Sequence, residues 1–403
     1  MKLDPIISSL LDTDFYKFTM NQAMFHKHTA LSGEYDFKCR SHAVFTPQML
    51  EEIDAQIDHL CSLRFTRQEL DFLRGIRFIQ SDYVEFLRLW HPIRDYVQTG
   101  LTAQGELRIR VCGPLFSAMQ FEIYLLEIVA EVYFRLRHDY DALEIGALRR
   151  LEAKIAGFAD GRYTFPFAEF GCRRRLSRAW EEVVVRRLSE QTGHLVGTSN
   201  VWLAMKLGLR PVGTYAHEFV QMYQAIDSIP LAYTNHCALS DWYDEYRGDN
   251  GTALTDTLTT DLFLLDFNRA MVNNFSGVRH DSGDPFAWGE KILAHYERYG
   301  VDTRSKQLLF SDNLDFDRAQ ALYEHFRERA QVSFGIGTYL TCDTDVEPLN
   351  IVIKLQSVNG RPVAKLSDTP GKSMARDEEY LRYLRGAVEF RLAREAQAQK
   401  ARP

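Results

Sequence analysis

From about residue 165 the chain repeats one grammar, in which a short apolar run ends in Gly, Ser, Asp or Asn and hands over to a helical pattern. It is written in "HLVGTSN" into "VWLAMKLG" (194–208), "RPVGTYAHE" (210–218), "TDLFLLDF" (260–267), "FSGVRHDSGDP" into "FAWGEKILAHYERYG" (275–300), "KQLLFSDNLD" into "FDRAQALYEHF" (306–326) and "QVSFGIGTYL" (331–340). Unbroken apolar runs fit strands buried on both faces, and a helix after each run covers those faces, so the pattern selects a parallel sheet. The fold class it predicts is α/β, either a β/α-barrel or an open α/β sheet. In both, the loops after the strands carry the chemistry, and here those loops hold the polar residues.

The first third follows another pattern. In "GEYDFKCR" (33–40), Tyr35, Phe37 and Cys39 alternate with Asp36, Lys38 and Arg40, and "ELRIRV" (106–111) alternates likewise, as half-exposed antiparallel strands do. Near the C-terminus "NIVIKLQSVNGRPVAKL" returns to alternation around an "NG" turn and ends in a Glu/Arg/Ala-rich helix. The 403 residues are therefore expected to form an α+β N-terminal domain (1–130), onto which 350–403 packs back, and a barrel-like domain (131–349).

Lys plus Arg number 48 against 55 Asp plus Glu, a net charge of −7, which opposes a nucleic-acid surface built on general positive charge. Any anion site must be local. The six cysteines lack CxxC or other ligand spacing, which predicts reduced thiols in a cytoplasmic protein. "SAMQFEIYLLEIVAEVYF" (117–134) is very apolar but carries Glu122, Glu127 and Glu131, so it reads as a core helix and not as a membrane span.

Four stretches carry candidate chemistry. "EFGCRRRLS" (169–177) offers three consecutive guanidinium forks to anions, or else a solvated basic face. "GVRHDSGDP" (277–285) can bind sugar hydroxyls or a magnesium-bound diphosphate through Asp281 and Asp284, with Arg279 pairing a carboxylate or phosphate; Asp284 before Pro285 equally suits a helix N-cap. "FSDN" (310–313) and "FGIGTY" (334–339) are late strand ends where backbone amides can cradle phosphate, although a lone GxG is also an ordinary turn. "GTYAHEFVQM" (213–222) puts His217 and Glu218 in what otherwise reads as a buried strand. A histidine there can be a base, a metal ligand, a phosphoryl acceptor or simply structural, and no second His or Cys stands at ligand spacing.

In order along the chain, "LLDTDFYKFTMNQAMFH", "EFGCRRR", "LVGTSNVWLA", "GTYAHEFVQ", "VRHDSGDP", "FSDNLD", "FGIGTYLTCD" and "IVIKL…GRPVAKLSDTPGK" resemble the full-length pattern of the bacterial nicotinate phosphoribosyltransferase family, from about residue 8 to 375. The resemblance implies an irregular β/α-barrel of the type II phosphoribosyltransferase kind, and an enzyme that joins nicotinate to phosphoribosyl diphosphate in NAD salvage. It further implies Mg²⁺ with the diphosphate, ATP as co-substrate hydrolysed through a transient phosphohistidine (hence ligase as well as glycosyltransferase chemistry), and a homodimer. By residue, it implies phosphorylation at His217, stacking of Phe170 on the pyridine ring, and Arg173 beside the ribosyl phosphate. It puts Arg279 near the pyridine substituent and Asp281 near the ribose. Asn313, Gly335, Gly337 and Thr338 correspond to the 5′-phosphate loop. Tyr16 closes the other ring face from the neighbouring subunit.

Phosphoribosyl transfer develops cationic character on the sugar and negative charge on the departing diphosphate, so arginines, Mg²⁺ and a few carboxylates suit it better than a strong base. Ser199, neutral where the related nicotinamide enzymes place Asp, favours nicotinate over nicotinamide. Cys172 and Tyr215 depart from the family's usual Thr and Met. The rivals are a nicotinamide phosphoribosyltransferase, opposed by Ser199; a quinolinate enzyme, which lacks the Ala-His-Glu motif; and a non-catalytic NAD-metabolite sensor, which would be free to lose His217.

Overall fold

A computed structural model of the chain describes residues 3–369 and 375–400. The end of the last quoted motif, 370–372, lies outside them. Two compact units are each assembled from several segments: Met1–Gly213, Asn313–Ala321 and Ser333–Lys354 in the first, and Thr214–Asp312, Leu322–Val332 and Leu355–Pro403 in the second. The strands are β1 (Ser32–Cys39), β2 (Val97–Leu101), β3 (Leu107–Pro114), β4 (Phe167–Glu169), β5 (Leu195–Thr198), β6 (Thr252–Leu254), β7 (Gly277–His280), β8 (Gln307–Phe310), β9 (Gln331–Ile336), β10 (Ile351–Val358) and β11 (Arg361–Pro362). The fold is α/β as expected, with one antiparallel sheet and parallel β/α strands.

In the first unit the antiparallel order is β10-β1-β3-β2, with Tyr35 opposite Val111. Tyr35 and Phe37 are buried while Lys38 is exposed, so the period-two pattern does mark the core face. The apolar stretch forms helix Phe121–Arg137, buried almost all round, as a helix inside a core must be. Its carboxylates are partnered: Glu131 pairs Arg135 at 2.8 Å and Glu127 accepts from Cys172 at 2.6 Å. No helix among the described residues is long and apolar enough to cross a membrane. Parallel pairing joins β4 to β5 and to β9, with Glu169 opposite both Thr198 and Ile336.

In the second unit β6, β7 and β8 are parallel neighbours, Leu254 aligning with Arg279 and Arg279 with Leu309. The expected hairpin joins β10 to β11 through Asn359 and Gly360, both left-handed (φ 49 and 73). Two expectations fail here. "TDLFLLDF" is helix Thr260–Asp266: the Thr259 side chain accepts from Leu262 N and Asp261 lies in the first turn, start signals that outweigh the apolar run. The terminal helix Glu378–Lys400 packs in this unit, where Leu381, Leu384 and Val388 bury against Leu258 and Leu262 and Arg391 pairs Asp266 at 2.5 Å.

Candidate functional site

His217 is not at a strand end. Residues 212–216 run without a ladder, and His217 opens the short helix His217–Gln221, with Ala216 extended before it. Tyr215 needs no ladder there, since its ring packs 4.7 Å from Trp242 and its hydroxyl accepts from Leu254 N at 3.2 Å. The imidazole is enclosed by the loops that follow the parallel strands. Its Nδ1 is 3.0 Å from Thr257 Oγ1, just after β6, and its Nε2 is 3.0 Å from Asp281 Oδ2, just after β7. Lys365 Nζ lies 2.9 Å from the same Nε2 and donates to Asp256 Oδ2 at 2.8 Å. Ser282 donates to Asp256, and Ser311 donates to Asp281 Oδ1 at 3.2 Å. His217 and Asp281, read from two different motifs, thus belong to one cluster, and the charge of Arg279 acts on Asp281.

Its charges set one another. Burial and then the Lys365 charge push His217 below its usual range, against the opposite pull of Asp256 and Asp281. Burial alone would raise Asp281, yet the His217 hydrogen bond and the Arg279 charge hold it well below the carboxylate range. The Arg279 Nε is buried without a hydrogen-bond partner among the described residues, leaving donor capacity for an anion. Asp284 is a cap, accepting from Ala287 N at 2.8 Å in front of Pro285. His217, Asp256 and Asp281 place ligand atoms within 4.8 Å of one another, but the Lys365 ammonium stands among them. That arrangement does not fit a resident Mg²⁺, which demands an oxygen-rich octahedron.

In the first unit, three motifs meet. Phe15 N donates to Ser199 O at 2.7 Å, Val201 N to Thr13 O at 3.1 Å and Trp202 N to Leu11 O at 2.9 Å, so the segment leading to Tyr16 is strapped to Ser199 within the chain. Ser199 N donates to Glu169 O at 2.8 Å, one residue before Phe170. Burial raises the pKa of Asp14, against the Ser199 hydroxyl and the Arg173 charge.

The arginine triplet divides. The Arg173 side chain is 43% exposed and 3.9 Å from Glu122. Arg174 turns inward, its Nε donating to Ile351 O at 3.2 Å. Arg175 is fully buried, bidentate on Asp12 (2.7 and 3.0 Å) and 2.8 Å from Glu181. Asn200 bridges the same carboxylates, at 2.8 Å from Asp12 and 3.0 Å from Glu181. Of the three, Arg173 keeps its side chain 43% exposed, whereas Arg174 and Arg175 direct theirs into the interior.

Glycine in "FGIGTY" serves packing first. A Cβ on Gly335 would come within 2.3 Å of the Phe170 ring, and one on Gly337 within 2.8 Å of Phe170 O. Thr338 opens the short helix Thr338–Thr341 behind Gly337. Asn313 takes the left-handed conformation (φ 51) that asparagine tolerates.

Asp256, Thr257 and Lys365 escaped sequence reasoning. A signal existed for Lys365: it is a charge in the otherwise apolar run Val363–Leu366, all four residues of which are buried.

The chain matches the model of the "Nicotinate phosphoribosyltransferase (NAPRTase) family" over residues 165–391, and that of the family's N-terminal domain over 11–130. It is 50% identical to nicotinate phosphoribosyltransferase of Chromobacterium violaceum over 396 residues, 95% of this chain and 97% of the relative. With that of Neisseria meningitidis serogroup A it shares 47% over 390 residues, 94% and 96% of the two chains. Among solved structures it resembles the nicotinate phosphoribosyltransferase of Vibrio cholerae, with a TM-score of 0.90, 36% identity and coverage of 98% and 97%. That of Porphyromonas gingivalis gives a TM-score of 0.87, 36% identity and coverage of 95% and 100%. By these matches over nearly its whole length, the chain belongs to the nicotinate phosphoribosyltransferase family.

Proposed function

We infer that this chain transfers the phosphoribosyl group of 5-phosphoribosyl 1-diphosphate to nicotinate, forming nicotinate mononucleotide and diphosphate for NAD synthesis. The nicotinate ring nitrogen is the nucleophile. Arg279, with its free donor, pairs the pyridine carboxylate, Phe170 stacks on the ring and Ser199 adds no negative charge against it. Arg173 and the backbone around Asn313 and Gly335–Thr338 take the ribosyl phosphate, and Asp281 steadies the ribose as cationic character develops. Mg²⁺ bound to the phosphates as part of the substrates would supply charge neutralisation on the diphosphate.

The same reading makes His217 an acceptor of the terminal phosphoryl group of ATP, so that the reaction is a ligation as well as a glycosyl transfer. The observation that carries it is the His217 ring, kept neutral by burial beside Lys365 and fixed at both nitrogens. A neutral imidazole is the nucleophilic form. Six free thiols support a reducing, cytoplasmic setting. A homodimer in which Tyr16 serves the neighbouring site completes the reading.

Incubation with γ-labelled ATP should place acid-labile phosphate on the protein, and ATP should stimulate nicotinate mononucleotide formation; His217→Ala should lose both. Label persisting in His217→Ala would overturn the assignment, and turnover of nicotinamide in preference to nicotinate would overturn the substrate.

A further inference from the structure

His217 Nε2 has two neighbours that it cannot serve together. Asp281 Oδ2, at 3.0 Å, accepts only if Nε2 carries a proton; Lys365 Nζ, at 2.9 Å, donates only if Nε2 is bare. An imidazolium would satisfy Asp281 and Thr257 but would set a proton of Nε2 against those of the ammonium. Lys365 cannot easily swing aside, since Asp256 holds it at 2.8 Å and the residues flanking it are tied down, Ala364 to Gln224 (2.8 Å) and Leu366 N to Thr257 O (2.8 Å). Asp256 in turn is fixed by Ser282.

We propose that Lys365 is a positioning residue for the phosphoryl step: its ammonium, clamped by Asp256, keeps the His217 ring neutral and is the counter-ion for the phosphoryl group that the ring accepts. This deepens, and rests on, the phosphohistidine reading above. In the step, the lone pair of one ring nitrogen bonds to the terminal phosphorus of a nucleoside triphosphate. The P–O bond to the nucleoside diphosphate breaks, and its electron pair leaves on the β-phosphate oxygen. Water later cleaves the P–N bond, its oxygen and protons going to inorganic phosphate and the bonding pair returning to the ring nitrogen as its lone pair. The accepted group brings negative charge to a place already holding Asp256 and Asp281, and Lys365 is a cation within hydrogen-bond reach of the ring.

The charged groups facing His217 are Asp256, Asp281 and Lys365, with Arg279 acting on Asp281. Removing the ammonium leaves the two carboxylates to stabilise the imidazolium, so His217 should titrate at higher pH. The test is NMR titration of full-length protein carrying ¹³C-histidine, with the His217 signal assigned by its loss in His217→Ala, for the wild type, Lys365→Met and Lys365→Arg. Lys365→Met should raise the His217 midpoint by about one pH unit or more, and Lys365→Arg should keep it within about 0.3 unit. Phosphohistidine formation from γ-labelled ATP should fall roughly tenfold or more in Lys365→Met at neutral pH, with its acid limb displaced upwards. If circular dichroism shows that Lys365→Met is unfolded, Lys365→Gln is read in its place. An unmoved midpoint overturns the proposal, as does a wild-type labelling rate in a folded variant. Absence of label in the wild type would overturn the phosphohistidine reading and the counter-ion role with it, while a shifted midpoint would still establish Lys365 as the group that keeps the ring neutral.

Discussion

Phe170 lies so close over Gly335 that a Cβ on the glycine would come within 2.3 Å of the ring carbons Cδ2 and Cε2. No real Cβ tolerates that approach, so Gly335→Ala must move the ring or the strand. If Phe170 stacks on nicotinate, this single methyl should raise the KM for nicotinate roughly tenfold or more while leaving that for phosphoribosyl diphosphate less affected. Steady-state kinetics with each substrate varied in turn would measure it, and an unchanged nicotinate KM would place the ring outside the substrate site.

Adjacent arginines should fail in different ways. Arg175→Met removes the guanidinium from a fully buried cluster of carboxylates and leaves Asp12 with only Arg178, at 3.1 Å, and Asn200, a loss of about 3 to 5 kcal/mol in unfolding free energy. Arg173→Ala, at a side chain that is 43% exposed and 3.9 Å from Glu122, should barely alter denaturant unfolding yet weaken phosphoribosyl diphosphate binding. Equal destabilisation by the two would contradict the division of the triplet into one open group and an interior hub.

This division shows what a sequence reveals and what it conceals. Parallel β/α grammar and period-two strands were legible because burial repeats along the chain, and Asp284 was legible as a cap because capping is local. The triplet was not. "CRRR" has one composition but three fates: Arg173 lies near Glu122, Arg174 donates to Ile351 O, and Arg175 pairs Asp12, Glu127 and Glu181, and of these partners only Glu181 is close in sequence. Lys365 was hidden for the same reason: it meets His217 across 148 positions, and nothing local distinguishes a buried lysine that meets a histidine from one at a strand edge. "TDLFLLDF" misled because an apolar run of helix length has no periodicity to read once both its faces are partly covered.

The hub also makes stability depend on pH. Glu181 normally titrates near 4.5 but is pushed up to about 7, chiefly by burial, against the pull of Arg175. The folded chain then keeps a proton that the unfolded chain has released. This contribution is full below pH 4.5 and is lost as pH rises towards 7. His217, pushed below its usual 6.5, acts oppositely, since protonation of the unfolded chain lowers stability as pH falls through that value. The two are separated by comparison: Glu181→Gln should reduce the fall in unfolding free energy between pH 5 and 7, by on the order of 1 to 3 kcal/mol, with the His217 effect common to both proteins. Parallel profiles would show that Glu181 does not carry the proton.

Selection between nicotinate and nicotinamide should follow charge. Arg279 offers a buried Nε donor without a hydrogen-bond partner among the described residues, so Arg279→Ala should weaken nicotinate binding by about 2 to 4 kcal/mol and phosphoribosyl diphosphate binding far less. Ser199 is nearly fully buried on the strap to Phe15, so Ser199→Asp adds a carboxylate to a site that already holds Asp14. It should repel nicotinate and admit nicotinamide. Isothermal titration with both ligands would decide, and an unaltered preference would move specificity to another residue.

Tyr16 presents the sharpest choice. Backbone bonds from Leu11, Thr13 and Phe15 to residues 199–202 fix where the helix Phe15–Lys27 starts, so the position of Tyr16 is set by its own chain. The ring itself remains half-buried, able to serve a neighbouring copy as the proposed homodimer requires. Inactive Tyr16→Ala and inactive Arg279→Ala proteins, mixed under subunit exchange, would then form heterodimers in which one site carries both defects and the other carries neither. Such mixtures should recover activity, approaching about one quarter of the wild-type rate when exchange is random, because half the dimers are mixed and each has one intact site of two. If native mass spectrometry confirms exchange and no activity returns, Tyr16 works on its own chain's substrate, and the strap to Ser199 is then the reason it does.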